Sequence, residues 1–332
     1  MASVPMVELW RGGRLESLHR GHAVICDASG GIVEAWGDPG AIIFPRSSCK
    51  MIQALPLVES GAADAAGLSE AQLALACASH QGATIHTGMV ERWLSDLGMG
   101  EPDLRCGAHM PYDPEANKAL TCSDTKPCQI HNNCSGKHAG FLTLTRHLHA
   151  GPEYVDPDHA VQKAVRTAFE EVTGEASPGY GIDGCSAPNF ATSVHGLARA
   201  MAAFAAARDG GDRRQSAMAR LRSAMARHPE LVAGEGRACT ILMRAMGDRV
   251  AIKTGAEAVF VAMLPDQGLG VALKIEDGTT RASEAAITWL LHRLGALPAG
   301  RPEIDRYIPK VMRNWRGLVT GETRIAAGFA GA

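Results

Sequence analysis

The sequence lacks an apolar run long enough to cross a membrane as a helix. Its longest apolar stretches, 200–207 and 258–264, fall far short of the roughly 20 residues that a span requires. Aromatic residues make up only 5% of the chain, and 33 Lys and Arg oppose 35 Asp and Glu, so neither stacking platforms nor a basic surface is available. We therefore expect no nucleic-acid or membrane partner. The N-terminal residues show no basic segment followed by an apolar one, and we expect a cytoplasmic protein.

The chain also has no Cys-x-x-Cys pair, although it contains nine cysteines. An odd number of cysteines in a long chain without an export signal favours free thiols or metal ligands over a disulfide framework. The missing pairs make a structural zinc knot improbable. Four cysteines in apolar surroundings are expected to be small core residues, namely Cys26, Cys49, Cys77 and Cys239.

What is present is an ordinary globular composition, with 332 residues of which 46% are hydrophobic. We expect a single catalytic domain over 1–332, with possible subdomains at 1–45 plus 240–332 and at 46–239. Strand-like segments lie near both ends, at 4–10, 21–26, 31–36, 250–253, 258–264 and 269–275. Helical patterns fill the middle and return once near the end, at 49–60, 69–78, 84–97, 136–149, 158–173, 189–206, 215–227 and 283–294. This order predicts an α+β fold, an antiparallel sheet built from both chain ends with a helical middle. Two segments without periodicity, 100–132 and 174–188, are predicted to be long loops of functional interest.

A serine and a lysine at helical spacing form the first candidate catalytic group. Ser47 and Lys50 follow a strand-like run, and residues three apart on a helix face the same way. A neutral lysine in that position could accept the serine proton. The spacing alone is weak evidence, because a second copy, Ser123 to Lys126, lies in a loop with no such context.

Two further segments strengthen this hypothesis. Lys253 begins a Lys-Thr-Gly sequence, which accompanies Ser-x-x-Lys in the serine acyl-enzymes that open β-lactams. Ser79, at the predicted end of a helix, could complete a second Ser-Lys pair with Lys253, although a helix cap explains it about as well.

Cysteines and polar residues in the middle of the chain suggest a metal site. Cys134 belongs to a series of cysteines six apart and is followed by Lys137, while Cys185 lies in the later glycine-rich segment with Asp183 close by. Thiolates are natural zinc ligands, and a nearby carboxylate can either bind the metal or orient one of its ligands.

Five ordered segments together resemble the L-asparaginase II family of the rhizobial type, which is unrelated to the well-known bacterial asparaginases with a threonine nucleophile. The segments are Arg46-Ser47-Ser48-Cys49-Lys50, Cys77-Ala78-Ser79-His80, 131–140, 181–191 and Lys253-Thr254-Gly255-Ala256-Glu257. They span nearly the whole chain in order, which makes the resemblance specific where any one segment would not.

The resemblance implies a fold similar to serine β-lactamases and serine-dependent glutaminases, a homodimer, and hydrolysis of L-asparagine to L-aspartate and ammonia. It also implies two Ser-Lys tandems, Ser47 with Lys50 and Ser79 with Lys253. Family members can carry a zinc ion, and the matching positions here are Cys134, Lys137 and Cys185. The expected substrate-binding residues are Arg46, His80, Asp183 and Glu257.

Three positions depart from the family pattern, and three other functions stay open. Met51 stands where proline is usual, Ala83 where an acidic residue is common, and Ala258 where glycine follows Glu257. The alternatives are a glutaminase, whose substrate differs by one methylene, a penicillin-recognising serine acyl-enzyme, and a non-catalytic protein that binds zinc or an amino acid.

Overall fold

The computed structural model describes residues 2–331. Its strands are β1 Val4–Arg11, β2 Arg14–Cys26, β3 Ile32–Trp36, β4 Ile42–Ile43, β5 Tyr180–Ile182, β6 Pro188–Phe190, β7 Thr192–Ser193, β8 Ala251–Gly255, β9 Val259–Leu264, β10 Leu269–Ile275, β11 Val311–Arg313 and β12 Val319–Ile325. Its α-helices are α1 Lys50–Gln53, α2 Leu55–Glu59, α3 Ala62–Ala65, α4 Glu70–Ala76, α5 Thr84–Asp96, α6 Pro114–Thr121, α7 Ser135–His147, α8 Ala160–Thr173, α9 Val194–Ala206, α10 Arg213–Arg227, α11 Pro229–Val232, α12 Ala238–Met246, α13 Thr280–Arg293, α14 Pro302–Asp305 and α15 Ala327–Ala330. Short 3₁₀ turns occur at Arg46–Cys49, Glu101–Asp103, Gln129–His131 and Ala256–Ala258.

The chain forms two compact units. Within the described residues, the sheet unit contains residues 2–48, 192–206 and 241–331, and the helical unit contains residues 49–191 and 207–240. None of the helices among residues 2–331 is both long enough and apolar enough to cross a membrane.

The sheet unit is built around one antiparallel sheet with strand order β11-β12-β1-β2-β10-β9-β8, and β3 pairs with β2. β1, β2 and β3 come from the N-terminal part of the chain and the other five from the C-terminal part, which confirms the predicted antiparallel sheet built from both ends. All six residues of β9 are buried, so the sheet is covered on both faces there, and α9 and α13 pack against it. α9 approaches β10 so closely that a Cβ at Gly270 would lie 2.0 Å from the main-chain nitrogen of Ala202.

The helical unit is centred on α7, which is buried continuously from Ser135 to Thr145. α7 can lie directly against α4 because a Cβ at Gly136 would stand only 2.4 Å from the carbonyl oxygen of Leu75. α4 begins with a complete capping box, in which the Ser69 hydroxyl accepts from the Gln72 backbone amide and the Gln72 side-chain oxygen accepts from the Ser69 backbone amide. These elements confirm the predicted helical middle.

Several predicted boundaries were wrong. The expected helix 189–206 starts only at Val194, because the preceding residues form β6 and β7. The expected helix 49–60 is split into α1 and α2, with Pro56 in the first turn of the second. The predicted loop 100–132 contains α6, whose first turn is capped by the Asp113 side chain.

Candidate functional site

In the sheet unit, the segment with Ser47 packs against the end of β8. Residues Arg46–Cys49 form a 3₁₀ turn, in which the Ser48 amide and hydroxyl both donate to the Pro45 carbonyl oxygen, at 3.2 and 2.7 Å. A Cβ at Gly255 would lie 2.5 Å from that same oxygen and 3.1 Å from the Ser48 nitrogen. The glycine of the Lys-Thr-Gly sequence is therefore needed for close approach, and the structure brings these two motifs together.

Lys253 lies within β8 and is fully buried, at 0% exposed. Its main chain pairs with Val261 of β9, and its Nζ donates to the carbonyl oxygen of Thr254 at 3.0 Å. A lysine is almost never fully buried unless its ammonium has partners, so this position is unusual for a purely structural residue.

Arg46 and Glu257, two of the expected substrate-binding residues, also belong to the sheet unit. Both adopt left-handed backbone conformations, with φ of +54° at Arg46 and +57° at Glu257. Non-glycine residues are uncommon in this region and cluster at functional sites when the surrounding structure holds them there.

In the helical unit, Lys50 is the first residue of α1 and is only 1% exposed. Its Nζ donates to the carbonyl oxygen of Ala78 and to Cys134 Sγ, the latter at 3.0 Å. A predicted catalytic lysine and a predicted zinc ligand thus touch directly, which the sequence pattern did not indicate.

Ser79 and His80 lie in a buried irregular segment after α4. The Ser79 amide donates to the Val232 carbonyl and the His80 amide to the Asn133 carbonyl, at 2.9 and 3.1 Å. The hydroxyl of Ser79 is buried and has no hydrogen-bond partner among residues 2–331. A buried hydroxyl without a partner is costly, so Ser79 is available for a substrate or water atom rather than for a cap.

The His80 ring is held in a defined orientation. Its Nδ1 accepts from the Gly82 amide at 3.1 Å, which leaves the ring proton on Nε2, 3.0 Å from the Ser135 hydroxyl. The ring also stacks on His86, with centroids 4.8 Å apart and planes 9° apart. His80 is therefore fixed directly beside Ser79.

The three expected zinc ligands converge in the helical unit. Cys134, Lys137 and Cys185 are each less than 5% exposed, and Lys137 Nζ lies 3.1 Å from Cys185 Sγ. A hydrogen bond from the Cys134 thiol lowers the pKa of Cys185 well below its ordinary value, and the same bond raises the pKa of Cys134. Burial lowers the pKa of Lys137, but the adjacent Cys185 and Cys134 reverse this effect and raise it. The cluster thus contains a stabilised thiolate at Cys185 beside an ammonium.

Asp183 orders the turn that carries Cys185. Its carboxylate accepts from the Gly184 amide at 2.7 Å, its carbonyl accepts from the Ser186 amide at 2.8 Å, and its amide donates to Ala187 at 2.9 Å. Ser186, directly after the cysteine, has a φ of +69°. Asp183 therefore shapes the loop as well as offering a carboxylate.

Sequence reasoning missed the residues that orient this cluster. The Asn132 side chain accepts from the Cys134 amide at 2.8 Å and donates to the carbonyls of Cys106 and Gly107. His138 is fully buried, and its Nδ1 lies 2.9 Å from the hydroxyl of Tyr154. Burial lowers the pKa of His138 to about 4, so the ring is neutral at physiological pH. The sequence from His131 to His138 indicated that this region is functional. It did not indicate the hydrogen-bond partners of Asn132 and His138, which lie outside that run.

A comparison with models of protein families identifies the family of this chain. The model of the L-asparaginase II family matches residues 7–325, nearly the whole length. The protein belongs to the L-asparaginase II family. Membership supports an amidohydrolase of the asparaginase type with an amino-acid substrate. No curated protein sequence matched this chain.

Solved structures similar to this chain include Mglu in its native form, with 13% identity, a TM-score of 0.49, and coverage of 85% of this chain and 66% of that one. Mglu in its glutamate form gives 14% identity, a TM-score of 0.49, and coverage of 85% and 63%. A β-lactamase from Mycobacterium bovis gives 12% identity, a TM-score of 0.44, and coverage of 84% and 95%. The chain thus spans about two thirds of the length of the Mglu structures that it matches.

Proposed function

We propose that this protein hydrolyses the side-chain amide of L-asparagine to L-aspartate and ammonia through an acyl-enzyme. The observation that carries the proposal is family membership over 7–325, combined with complete burial of the lysines in both Ser-Lys motifs, Lys50 and Lys253. Buried lysines require a strong reason, and acid–base work on a serine nucleophile supplies one.

In the proposed reaction, Ser47 Oγ attacks the amide carbon while neutral Lys50 accepts the hydroxyl proton. Collapse of the tetrahedral intermediate breaks the C–N bond, and the nitrogen leaves as ammonia with the proton returned from the lysine. Water then attacks the resulting ester and releases L-aspartate from Ser47. The unpartnered hydroxyl of Ser79 supports a role for Ser79 and Lys253 in relaying protons and stabilising negative charge.

The substrate carries both an ammonium and a carboxylate, so its pocket needs fixed groups of both signs. We assign the carboxylate to Arg46 and the ammonium to Glu257 and Asp183, with the fixed ring of His80 bordering the substrate. The left-handed backbone at Arg46 and Glu257 supports this assignment, because strain of this kind persists where function requires a particular direction of the side chain.

A zinc ion fits the donor set of Cys134, Lys137 and Cys185. The set offers two buried sulfurs and one nitrogen, and Cys185 is stabilised as a thiolate. Zinc binds such ligands, and three of them leave its fourth coordination position open. No group of three or more His, Cys, Asp or Glu within residues 2–331 is arranged to hold a metal ion, so Lys137 would be required as a ligand. Bound there, zinc would supply Lewis-acid stabilisation of a substrate oxygen. Because Lys137 must lose a proton to bind, zinc affinity should weaken as the pH falls.

The test is ammonia release from purified protein given L-asparagine or L-glutamine, with Ser47→Ala alongside. Ser123→Ala is a matched control, because Ser123 begins the second Ser-x-x-Lys sequence and lies on an exposed loop. We expect asparagine hydrolysis to vanish in the Ser47 variant and to persist in the Ser123 variant. Wild-type turnover in Ser47→Ala would remove that serine from the mechanism.

The same assay separates the other candidate functions. Faster turnover of L-glutamine than of L-asparagine would indicate a glutaminase. Hydrolysis of a chromogenic β-lactam would indicate a penicillin-recognising enzyme, and tight asparagine binding without ammonia release would indicate a binding protein.

A homodimer remains part of the proposal. Light scattering after size-exclusion chromatography should give twice the 35.0 kDa chain mass. A mass equal to that of one chain would refute the dimer.

A further inference from the structure

The turn between β8 and β9 contains two consecutive strained residues. Gly255 pairs with Val259 across the hairpin, and the turn between them has φ of +57° at Glu257 and +56° at Ala258. Two positive φ values are typical of type I′ turns, where Asn-Gly is the usual pair. For residues with a Cβ, this conformation is sterically unfavourable. Neighbouring groups must therefore hold this turn in place.

One such group is the ammonium of Lys274. This residue lies opposite Val259 in the pairing of β10 with β9, and its Nζ donates to the main-chain oxygen of Glu257. Lys274 is half-buried, and burial lowers its pKa, an effect that Glu257 opposes and Arg46 reinforces. The ammonium thus lies near two of the charged residues assigned to the substrate, Arg46 and Glu257, and it donates a hydrogen bond to the backbone of Glu257.

The second group is Gly278, in the connection between β10 and α13. A Cβ at this position would lie 2.7 Å from Glu257 Oε2 and 3.5 Å from its Cα. The carboxylate of Glu257 therefore rests directly on the bare backbone of Gly278. Any side chain there would push the carboxylate away from its present position.

The turn also packs against residues 45–48, the segment that contains the proposed nucleophile Ser47. Gly255, which begins the turn, packs on Pro45 and Ser48 at the distances given above. A shift of the turn would move Glu257 relative to Ser47 within the same unit.

We propose that Lys274 and Gly278 form a seat that fixes the backbone and carboxylate of Glu257, and that both act as positioning residues for the ammonium group of an amino-acid substrate. This inference rests on the proposed amidase function. It predicts that substitution of Lys274 or Gly278 weakens substrate binding and leaves the chemical step nearly intact, because both residues act on Glu257 and the chemical step is assigned to Ser47 and Lys50.

The first test replaces Lys274 by Met, with Lys310→Met as control because Lys310 is an exposed lysine of the same unit. We expect KM for L-asparagine to rise about tenfold in Lys274→Met, the size of one lost hydrogen bond to a charged group, with kcat changed less than about threefold. Lys274→Arg should restore part of the affinity. The effects of Lys274→Met and Glu257→Gln should not add, because both act through the same carboxylate.

The second test uses two glycines with similar backbones. Gly278 and Gly268 have φ of +73° and +64°, but a Cβ at Gly268 would meet only the Ala28 Cβ, at 3.7 Å. Alanine at either position adds similar backbone strain, so only Gly278→Ala should raise KM beyond the effect of that strain. Equal KM in the two variants, a fall in kcat alone, or additive effects of Lys274→Met and Glu257→Gln would overturn the proposal.

Hydrogen exchange of peptides covering 255–259 provides a readout that requires no catalysis. Lys274→Met should speed exchange there relative to Lys310→Met. If the wild-type protein releases no ammonia, the proposed function fails, and the exchange rates still decide whether the seat holds the turn. Unchanged exchange would refute the seat itself.

Discussion

Replacing Glu257 by Gly should make the protein more stable and less active at the same time. At φ of +57° and ψ of +34°, Glu257 occupies the left-handed region that glycine enters without steric cost. Relief of this strain is worth roughly 1–2 kcal/mol, and the greater freedom of glycine in the unfolded chain removes about 0.4–1 kcal/mol of it. The side chain is exposed, so little burial is lost. The expected net gain is roughly 0.5–1 kcal/mol.

The assay is thermal unfolding in parallel with asparagine kinetics. An unfolding entropy of about 2.1 cal/mol/K per residue over the 332 residues gives roughly 0.7 kcal/mol/K, so the expected rise in Tm is about 1 °C. KM for L-asparagine should rise, because the carboxylate assigned to the substrate ammonium is gone.

Glu257→Ala is the matched control, because it removes the carboxylate but keeps the Cβ that causes the strain. It should lose the same substrate affinity without the gain in stability. The reasoning would be refuted if the glycine variant were no more stable than the alanine variant, or if it kept wild-type KM. Ala258→Gly should change stability much less, because Ala258 is only 3% exposed and the loss of a buried methyl, about 0.8 kcal/mol, offsets the relief.

Two further predictions concern the helical unit. Zinc should co-purify with the wild-type protein and with Cys122→Ser, whose thiol is exposed, but not with Cys185→Ser; elemental analysis measures this, and equal zinc in both variants would exclude the cluster as the site. His86 is fully buried, which lowers its pKa, while a histidine in the unfolded chain has a pKa of about 6.5. The unfolded chain then binds more protons below about pH 6.5, so the contribution of this residue to the free energy of unfolding is complete above that pH and is lost as the pH falls. Urea unfolding across this range should show a shallower pH dependence in His86→Gln, and an unchanged slope would contradict the assignment.

The sheet was predictable wherever its strands carry a local pattern. β1, β3, β8, β9 and β10 lie close to the predicted segments because apolar residues and turn residues mark them. β11 and β12 were not predicted, since most of their residues are exposed or half-buried and carry little apolar signal. β12 joins the sheet by pairing with β1, where Thr323 lies opposite Leu9, and β11 joins by pairing with β12. No local pattern encodes these pairings.

The candidate site shows a similar division between local and distant information. The spacing of Ser47, Lys253 and the cysteines indicated chemistry, and family resemblance indicated which residues belong together. The contact of Lys50 with Cys134 joins residues 84 positions apart, and the seat of Glu257 depends on Lys274 and Gly278, which no motif contains. Such contacts arise from the packing of the finished fold.

Backbone strain provides a signal for the site that does not depend on family resemblance. Across residues 2–331, five residues other than glycine have positive φ, and four of them lie in or directly beside the family motifs: Arg46, Ser186, Glu257 and Ala258. Strain at random positions would not concentrate on so few short segments. Each strained residue lowers stability, so its surroundings must hold it in place for a reason other than folding. Substitution by glycine at the exposed strained positions should therefore separate the two requirements, with stability rising where activity falls.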